Sequence, residues 1–545
     1  MPSNTTAEWA NASPSFGIAH VHAMARLIGI PTGTAVKAAA FAKADRRRRT
    51  ADGRCGGRIG FGKKSTNLYH RSMTTSLKGV DAALTYLQDH ADEHLKGLDE
   101  FLRLESVSAD IDRKDDVRRT AQWVADELTR IGAEHAQLNE TVGHPIVTAE
   151  WLHAGPDAPT ILVYCHYDVQ PVDPLDEWIR PPFEPRYEDD RVYARGSGDD
   201  KGQLFMHLKA AQAWLQGTGS LPVNLRFFFE GDEEHDSRPV EGFVKAHPEL
   251  IEADLCIVSD SDMHDDEGTP AITYGLRGIA YWELKVRGPF QDLHSGSYGN
   301  GVDNPANVLI RLLAGLTDEQ GRVTVPGFYD RVRELSAEER EAYAAIPFDE
   351  EKWRSDIGVK ASMDGEPDYT LLERLSARPT FDINGLWGGY SGEGSKTIIP
   401  AFAAAKFSTR LVPDQDHEEI ERLMVEHLRR IAPQTVELEV KVIHGGHPAM
   451  TPLDHPGMAL AAEALRQAFG KDPVFHRSGG SIPVVAALDQ QLGMETVMVG
   501  FSSPNGNFHA PNEWMPLANY RVGMDAIVRL WAILGEASPA ELRGS

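Results

Sequence analysis

The sequence is short of cysteine, short of positive charge and without any long apolar run, and each shortage removes a class of protein. Three widely spaced cysteines in 545 residues, Cys55, Cys165 and Cys256, cannot build a disulfide framework, and they fit a reducing cytoplasm. Lys and Arg number 55 against 81 Asp and Glu, a formal charge of -26, which opposes binding to nucleic acid or to an anionic membrane surface. No stretch reaches the roughly eighteen uninterrupted apolar residues that a membrane span needs. The scarce basic residues are also unevenly spread. Residues 1–72 hold twelve Lys and Arg against three Asp and Glu, a local excess of nine positive charges that leaves about -35 on the remainder. With RRRR at 46–49, GRCGGRIGFGKK at 53–64 and little apolar periodicity, this stretch suits a disordered basic extension, a targeting peptide, or a reading frame that truly starts at Met73. It has no signal-peptide core before a small-residue cleavage site, which favours the first or the last of these.

What remains is ordinary globular material, 41% hydrophobic and 25% charged, with length enough for two or three domains. From about residue 80 a pattern sets in. DRKDDVRRTAQWVADELTRIG (112–132) puts Val117, Ala121, Val124, Leu128 and Ile131 on one helical face. Short unbroken apolar runs follow at TILVYC (160–165), VNLRFFF (223–229), DLCIVS (254–259) and ETVMVGF (495–501), several separated by helical stretches such as KGQLFMHLKAAQAWLQ (201–216). Unbroken apolar strands alternating with helices predict an α/β fold, a mostly parallel sheet with helices on both faces. Between 273 and 447 the texture changes. IAYWELKVRG (279–288), AFAAAKFSTRLV (401–412) and VELEVKVI (436–443) read as strands, with helical stretches near 304–315 and 416–430. The expectation is therefore a larger α/β domain in two parts, 80–272 and 448–545, interrupted by an inserted α+β domain at 273–447.

The polar residues cluster where the apolar runs stop. TILVYC leads into His166 and Asp168, FFFEG into Glu233 and Glu234, LCIVS into Asp260, and VMVGFSSPNGNF into His509; ARGSGDDKGQ sets Asp199 in a glycine-rich turn at a helix start. In an open parallel sheet, ligands bind at the carboxyl ends of the strands. Each residue alone has an ordinary explanation as a turn cap or a hydrogen-bonded structural group. Four strand ends delivering imidazoles and carboxylates together suit two divalent cations, with zinc favoured by the donor types and manganese or cobalt compatible. One Asp has two oxygens and can bridge two ions, Asp168 can orient the His166 imidazole, and one of the adjacent Glu233 and Glu234 can bind metal while the other acts as a base.

These motifs, in this order, resemble the co-catalytic zinc metallopeptidase family that holds carnosine dipeptidases, glutamate carboxypeptidases, acetylornithine deacetylases and aminoacylases. The resemblance covers nearly all of 80–545 through CHYDVQP, ARGSGDDKGQ, FFFEGDEE, IVSD, ITYGLRG, DLHSG, KFSTRLVP, HGG, GGSIPV and FHAPNE, and is nearest to the cytosolic nonspecific dipeptidase branch. It implies His166 and Asp260 on one metal, Glu234 and His509 on the other, and Asp199 bridging across a cis bond to Asp200. It implies Glu233 as the general base toward the water between the metals, with Asp168 supporting His166. The resemblance also makes 80–272 with 448–545 the catalytic domain and the 273–447 insert a lid; His294, Thr397, Arg410, His444 and Ser481 match substrate-holding positions, His294 serving the opposite subunit of a homodimer formed through that lid. The activity implied is cleavage of dipeptides or short peptides in the cytoplasm, with a deacylase or carboxypeptidase on the same scaffold as the alternative. The insert of about 175 residues favours the dipeptidase branch. In FHAPNE an Ala follows the histidine where relatives often carry Ser.

Overall fold

The computed structural model describes residues 79–544 apart from Asp236, so the basic stretch 1–72 lies outside the described residues. Thirteen strands build two sheets, in chain order β1 (Glu134–Asn139), β2 (Ile146–Trp151), β3 (Thr160–His166), β4 (Asn224–Glu230), β5 (Leu255–Val258), β6 (Ala271–Leu276), β7 (Gly278–Arg287), β8 (Thr380–Gly388), β9 (Phe402–Leu411), β10 (Glu437–Gly446), β11 (Ala449–Met450), β12 (Val474–Arg477) and β13 (Thr496–Gly500).

The larger sheet runs β1-β2-β4-β3-β5-β13-β6-β11, with β12 also paired to β6. Its centre, β4, β3, β5 and β13, is parallel, while β1, β2, β6 and β11 add antiparallel margins. The centre reads as unbroken apolar sequence because both of its faces are covered. Ile161, Val163 and Cys165 of β3 join a core with the helices Lys114–Ile131, Lys201–Thr218, Pro456–Phe469 and Leu517–Leu534, whereas Leu162 and Tyr164 point the other way, into a core with the helix Pro483–Leu492. Cys165 and Cys256 are buried and unpaired.

The chain steps out of this sheet at Arg277 and returns at β11. The second sheet, β8-β9-β7-β10, is wholly antiparallel. In β7 the residues Ala280, Trp282, Leu284 and Val286 are buried with the helices Pro305–Ala314 and His417–Ile431, and the residues between them are half-exposed. One face of this sheet is thus covered by helices and the other is open. Arg410 stands opposite Ile279, and His444 opposite Tyr281, so both lie on the open face. His444 reaches it through a bulge: the register slips between Val442 and His444, and without that slip strict alternation would turn His444 toward the helices.

Candidate metal centre

Because the central strands are parallel, their carboxyl ends lie along one edge, and each delivers a ligating side chain. β3 ends on His166, paired with Glu230 of β4, and the turn after β4 carries Glu233 and Glu234. Asp260 follows β5 by two residues, and His509 sits in the loop after β13 with a left-handed φ of 59°. Asp199 comes from the glycine-rich turn before the helix Lys201–Thr218. A Cβ on Gly202 would stand 2.0 Å from the Ser197 carbonyl oxygen, so this turn closes only with glycine there. The Asp199–Asp200 bond is cis, as the resemblance implies.

The side chains form two fused groups. His166, Asp199 and Asp260 present ligand atoms within 4.8 Å of one another, as do Asp199, Glu234 and His509. Asp199 belongs to both. Its Oδ1 lies 3.0 Å from His166 Nε2 and its Oδ2 3.1 Å from His509 Nε2, while His509 Nε2 is 3.2 Å from Glu234 Oε2. His166 is fully buried. Its Nδ1 faces the Asp168 carbonyl oxygen at 3.1 Å and Asp168 Oδ1 at 3.4 Å, so a proton on Nδ1 leaves the Nε2 lone pair turned to the centre. The Asp168 carboxylate also accepts the backbone N–H of Glu233 (3.3 Å) and of Glu234 (3.1 Å).

The electrostatics describe a pocket short of positive charge. Burial, with Asp199 adding to it and His509 opposing, lifts the Glu234 carboxyl to about 7. Burial lifts Asp260 to about 6, with Asp199 raising it and His166 opposing. Glu233 is raised by burial and by its acidic neighbours Asp260, Glu234 and Glu230, against the pull of His166. His509 rises to about 10 through its hydrogen bonds to Asp199 and Glu234. For His166, burial alone would lower the value, and contacts with Asp168 and Asp199 more than reverse it. Three carboxylates and two imidazoles turned on one another, with Glu233 beside them, are a donor set for divalent cations, whose charge would relieve the crowding of carboxylates. The two groups, each an imidazole with carboxylates and one carboxylate shared, fit a dinuclear centre.

The remaining sequence-predicted residues lie elsewhere on the chain. His294 and Thr397 are exposed neighbours on a short ribbon, where His294 pairs with Ile398 and the Ser295 N–H donates to the Thr397 carbonyl at 3.1 Å. Arg410 and His444 stand on the open face of the second sheet, the His444 ring stacked on Tyr281 at 5.2 Å. Ser481 is in the loop after β12, where Arg277 donates its backbone N–H to the Gly480 carbonyl at 3.0 Å and its Nε–H to the Gly479 carbonyl at 3.1 Å. Neither metal-binding group includes His294 or His444.

Residues that support the centre went unassigned from sequence. Gln170 Nε2 donates to Glu234 Oε2 at 2.8 Å, and Asp200 Oδ2 accepts the His166 N–H at 3.2 Å. Glu513, fully buried, takes the backbone N–H groups of Gly196, Gly198 and Asp199. Gln170 closes CHYDVQ and Glu513 closes FHAPNE, so the signal lay inside motifs valued for their histidines.

Comparison with known proteins adds an independent line. A model of the peptidase family M20/M25/M40 matches residues 162–532. The chain is similar to the Cys-Gly metallodipeptidase dug1 of Schizosaccharomyces pombe, 31% identical over 474 residues that cover 84% of this chain and 99% of that protein. Among solved structures, human carnosine dipeptidase 1 aligns with a TM-score of 0.70 at 29% identity, covering 84% of this chain and 99% of that one. The M20 family metallo-carboxypeptidase Sso-CP2 from Sulfolobus solfataricus aligns with a TM-score of 0.74 at 33% identity, covering 82% of this chain and all of that one.

Proposed function

The chain belongs to the peptidase family M20/M25/M40, and from that membership and the two ligand groups fused at Asp199 we propose that it is a dinuclear metal-dependent dipeptidase. The observation that carries the proposal is that shared carboxylate, with Glu233 next to the ligand Glu234. His166 and Asp260 hold one cation, Glu234 and His509 the other, and Asp199 both. Zinc is the proposed metal, with manganese or cobalt as substitutes, because imidazole donors suit zinc and cobalt and carboxylate oxygens also suit manganese. When bound, such ions polarise a scissile carbonyl and acidify water toward a pKa of about 7. Glu233 takes the proton from the attacking water and passes it to the leaving amine nitrogen, a role worth roughly 10²–10⁴-fold. Asp168 keeps His166 oriented and its Nε2 free.

Substrate contacts come from outside this cluster. Arg410, on the open face of the lid sheet, clamps the substrate carboxylate; burial pulls its guanidinium below the usual value with Asp382 opposing, which favours a site of low dielectric that rewards an anion. His444, Thr397 and Ser481 complete the binding surface. His294 and Thr397 sit together and exposed. We infer that His294 serves the partner subunit of a homodimer that pairs through the lid, residues 273–447, while 80–272 and 448–545 form the catalytic domain. Among the described residues no helix is long and apolar enough to cross a membrane, and the unpaired cysteines support a cytoplasmic setting.

The likeness to a metallo-carboxypeptidase favours one second reading, removal of single residues from the carboxyl end of longer chains. Purified protein loaded with zinc or manganese and offered dipeptides, longer peptides and N-acyl amino acids separates the two. Cleavage confined to dipeptides supports the first reading, and cleavage of longer peptides or acyl substrates in preference to dipeptides overturns it.

A further inference from the structure

One buried carboxylate lies beneath the proposed centre without belonging to it. The short ribbon of Arg191–Tyr193 with Trp514–Pro516 sets Trp514 opposite Tyr193, and the Ala194 N–H donates to the Glu513 carbonyl at 3.1 Å. This pairing lays the segment that leads to Asp199 alongside the segment that carries His509. Between them Glu513 is completely buried and accepts four hydrogen bonds. Its Oε2 takes Arg195 Nη1 at 2.7 Å and the Gly196 N–H at 3.0 Å, and its Oε1 takes the Gly198 N–H at 2.9 Å and the Asp199 N–H at 3.1 Å. Arg195 passes the connection on, Nη2 donating to the Pro171 carbonyl at 3.1 Å, directly after the Gln170 that holds Glu234.

We propose that Glu513 is a positioning residue for the metal centre, fixing the backbone of Gly196–Asp199 so that the Asp199 carboxylate is aimed at both ligand groups at once. The inference rests on the two-cation reading above. Glu513 does not act through its charge, because Arg195 at 2.7 Å neutralises it within the same buried pair. It acts by position. Three backbone N–H groups and a guanidinium converge on it, and only a group that accepts on both oxygens satisfies all four. In Glu513→Gln the amide NH₂ has to face two donors, whichever way it is turned, so the loop must shift or leave donors unmet. The same residue is four positions from His509, so one carboxylate braces the ligand that the two groups share and the loop that supplies another.

The test measures metal affinity. Chelator-stripped wild type, Glu513→Gln and Glu513→Asp are titrated with zinc against a chromophoric chelator, and with cobalt while the visible d–d spectrum is recorded. Glu513→Asp keeps both oxygens and the charge on a shorter arm. Val528→Ala, a truncation in the core helix Leu517–Leu534, serves as a control destabilised away from the centre. The expected result is a 10–100-fold weaker affinity in Glu513→Gln and an altered cobalt spectrum, with a smaller loss in Glu513→Asp and none in Val528→Ala. Wild-type affinity and spectrum in Glu513→Gln overturn the inference, as does an equal loss of metal in Val528→Ala. If Glu513→Gln does not fold, Glu513→Asp decides: weakened metal binding with a changed spectrum supports the inference, and unchanged binding or a second failure to fold overturns it. Wild type that does not take up two ions overturns the two-cation reading itself, and this inference with it.

Discussion

Replacing Asp168 with Asn isolates the support given to His166 from the ligands themselves. Asp168 is fully buried and serves three neighbours, His166 Nδ1 at 3.4 Å and the Glu233 N–H at 3.3 Å on Oδ1, and the Glu234 N–H at 3.1 Å on Oδ2. An Asn side chain has one accepting oxygen. Turned to keep Glu234, its NH₂ opposes both Glu233 N–H and the imidazole. Turned to keep these, it opposes the Glu234 N–H. Either way at least one bond to a charged acceptor is lost, worth about 1.5–3 kcal/mol. Stability of the metal-free protein is the wrong measure, because removing one negative charge from a crowded acidic pocket offsets that loss. Metal affinity is the right one, since the lost charge and the looser imidazole both weaken cation binding. The expected drop is about 10–100-fold, read by zinc competition with a chromophoric chelator, with the fold checked by circular dichroism. An affinity within twofold of wild type would refute the reasoning, and Asp168 would then be a structural acid only.

Three further outcomes can be measured. Glu233→Gln should keep both metals and lose roughly 10²–10⁴-fold in turnover, whereas Glu234→Gln should lose metal; equal metal loss in both, measured by elemental analysis, means their roles are wrongly divided. In the buried Glu127–Lys209 pair, burial by itself would raise the Glu127 carboxyl, but Arg130 and Lys209 hold it below its usual value, so its contribution is present above the unfolded carboxylate pKa and lost as pH falls through the folded one. Glu127→Gln should therefore cost about 3–5 kcal/mol in urea unfolding at pH 7, by stranding Lys209, with the gap narrowing below about pH 4; a gap that does not change with pH contradicts this. If His294 serves the partner subunit as proposed, tagged mixed dimers of His294→Ala with Glu233→Ala should regain up to about half of wild-type activity per dimer, because one of two sites is whole, and mixed dimers as inactive as their parents rule that role out.

Much of the centre could be read before any coordinates because the central strands are buried on both faces. Their apolar runs are unbroken, so the point where each stops marks a strand end, and His166, Glu233, Glu234, Asp260 and His509 all follow such points. The helix Leu517–Leu534 leaves a fainter trace, because its polar stripe is thin, Arg521, Asp525 and Arg529 at one residue per turn, and nearly everything else in it is buried. Glu513 was hidden for a different reason, since three of its four partners are backbone N–H groups, which have no signature in side-chain sequence, and the fourth, Arg195, is 318 residues away along the chain. The place of His444 depends on one bulged residue, and period-two counting along VELEVKVI puts it on the wrong face. The antiparallel margins β1, β2 and β6 are short strands whose direction is set by pairing and not by composition.

The position of β13 has a bearing on how the protein is made. This strand lies between β5 and β6 in the middle of the larger sheet, yet it is the last of the thirteen along the chain. During synthesis the ribosome releases β3, β4 and β5, then the whole of the second sheet, before the strand that must be inserted between β5 and β6 exists. The edge of β5 therefore stays open through the production of more than two hundred intervening residues, with an apolar strand on show that invites pairing with another chain. Both ligand groups wait on this strand, since His509 and the Glu513 that holds the Asp199 turn come after it, so a complete centre marks the chain in which that gap has been filled. Shortening the growing chain before β13 should leave a product that aggregates, and a chaperone that shields strand edges is the kind of help this topology calls for.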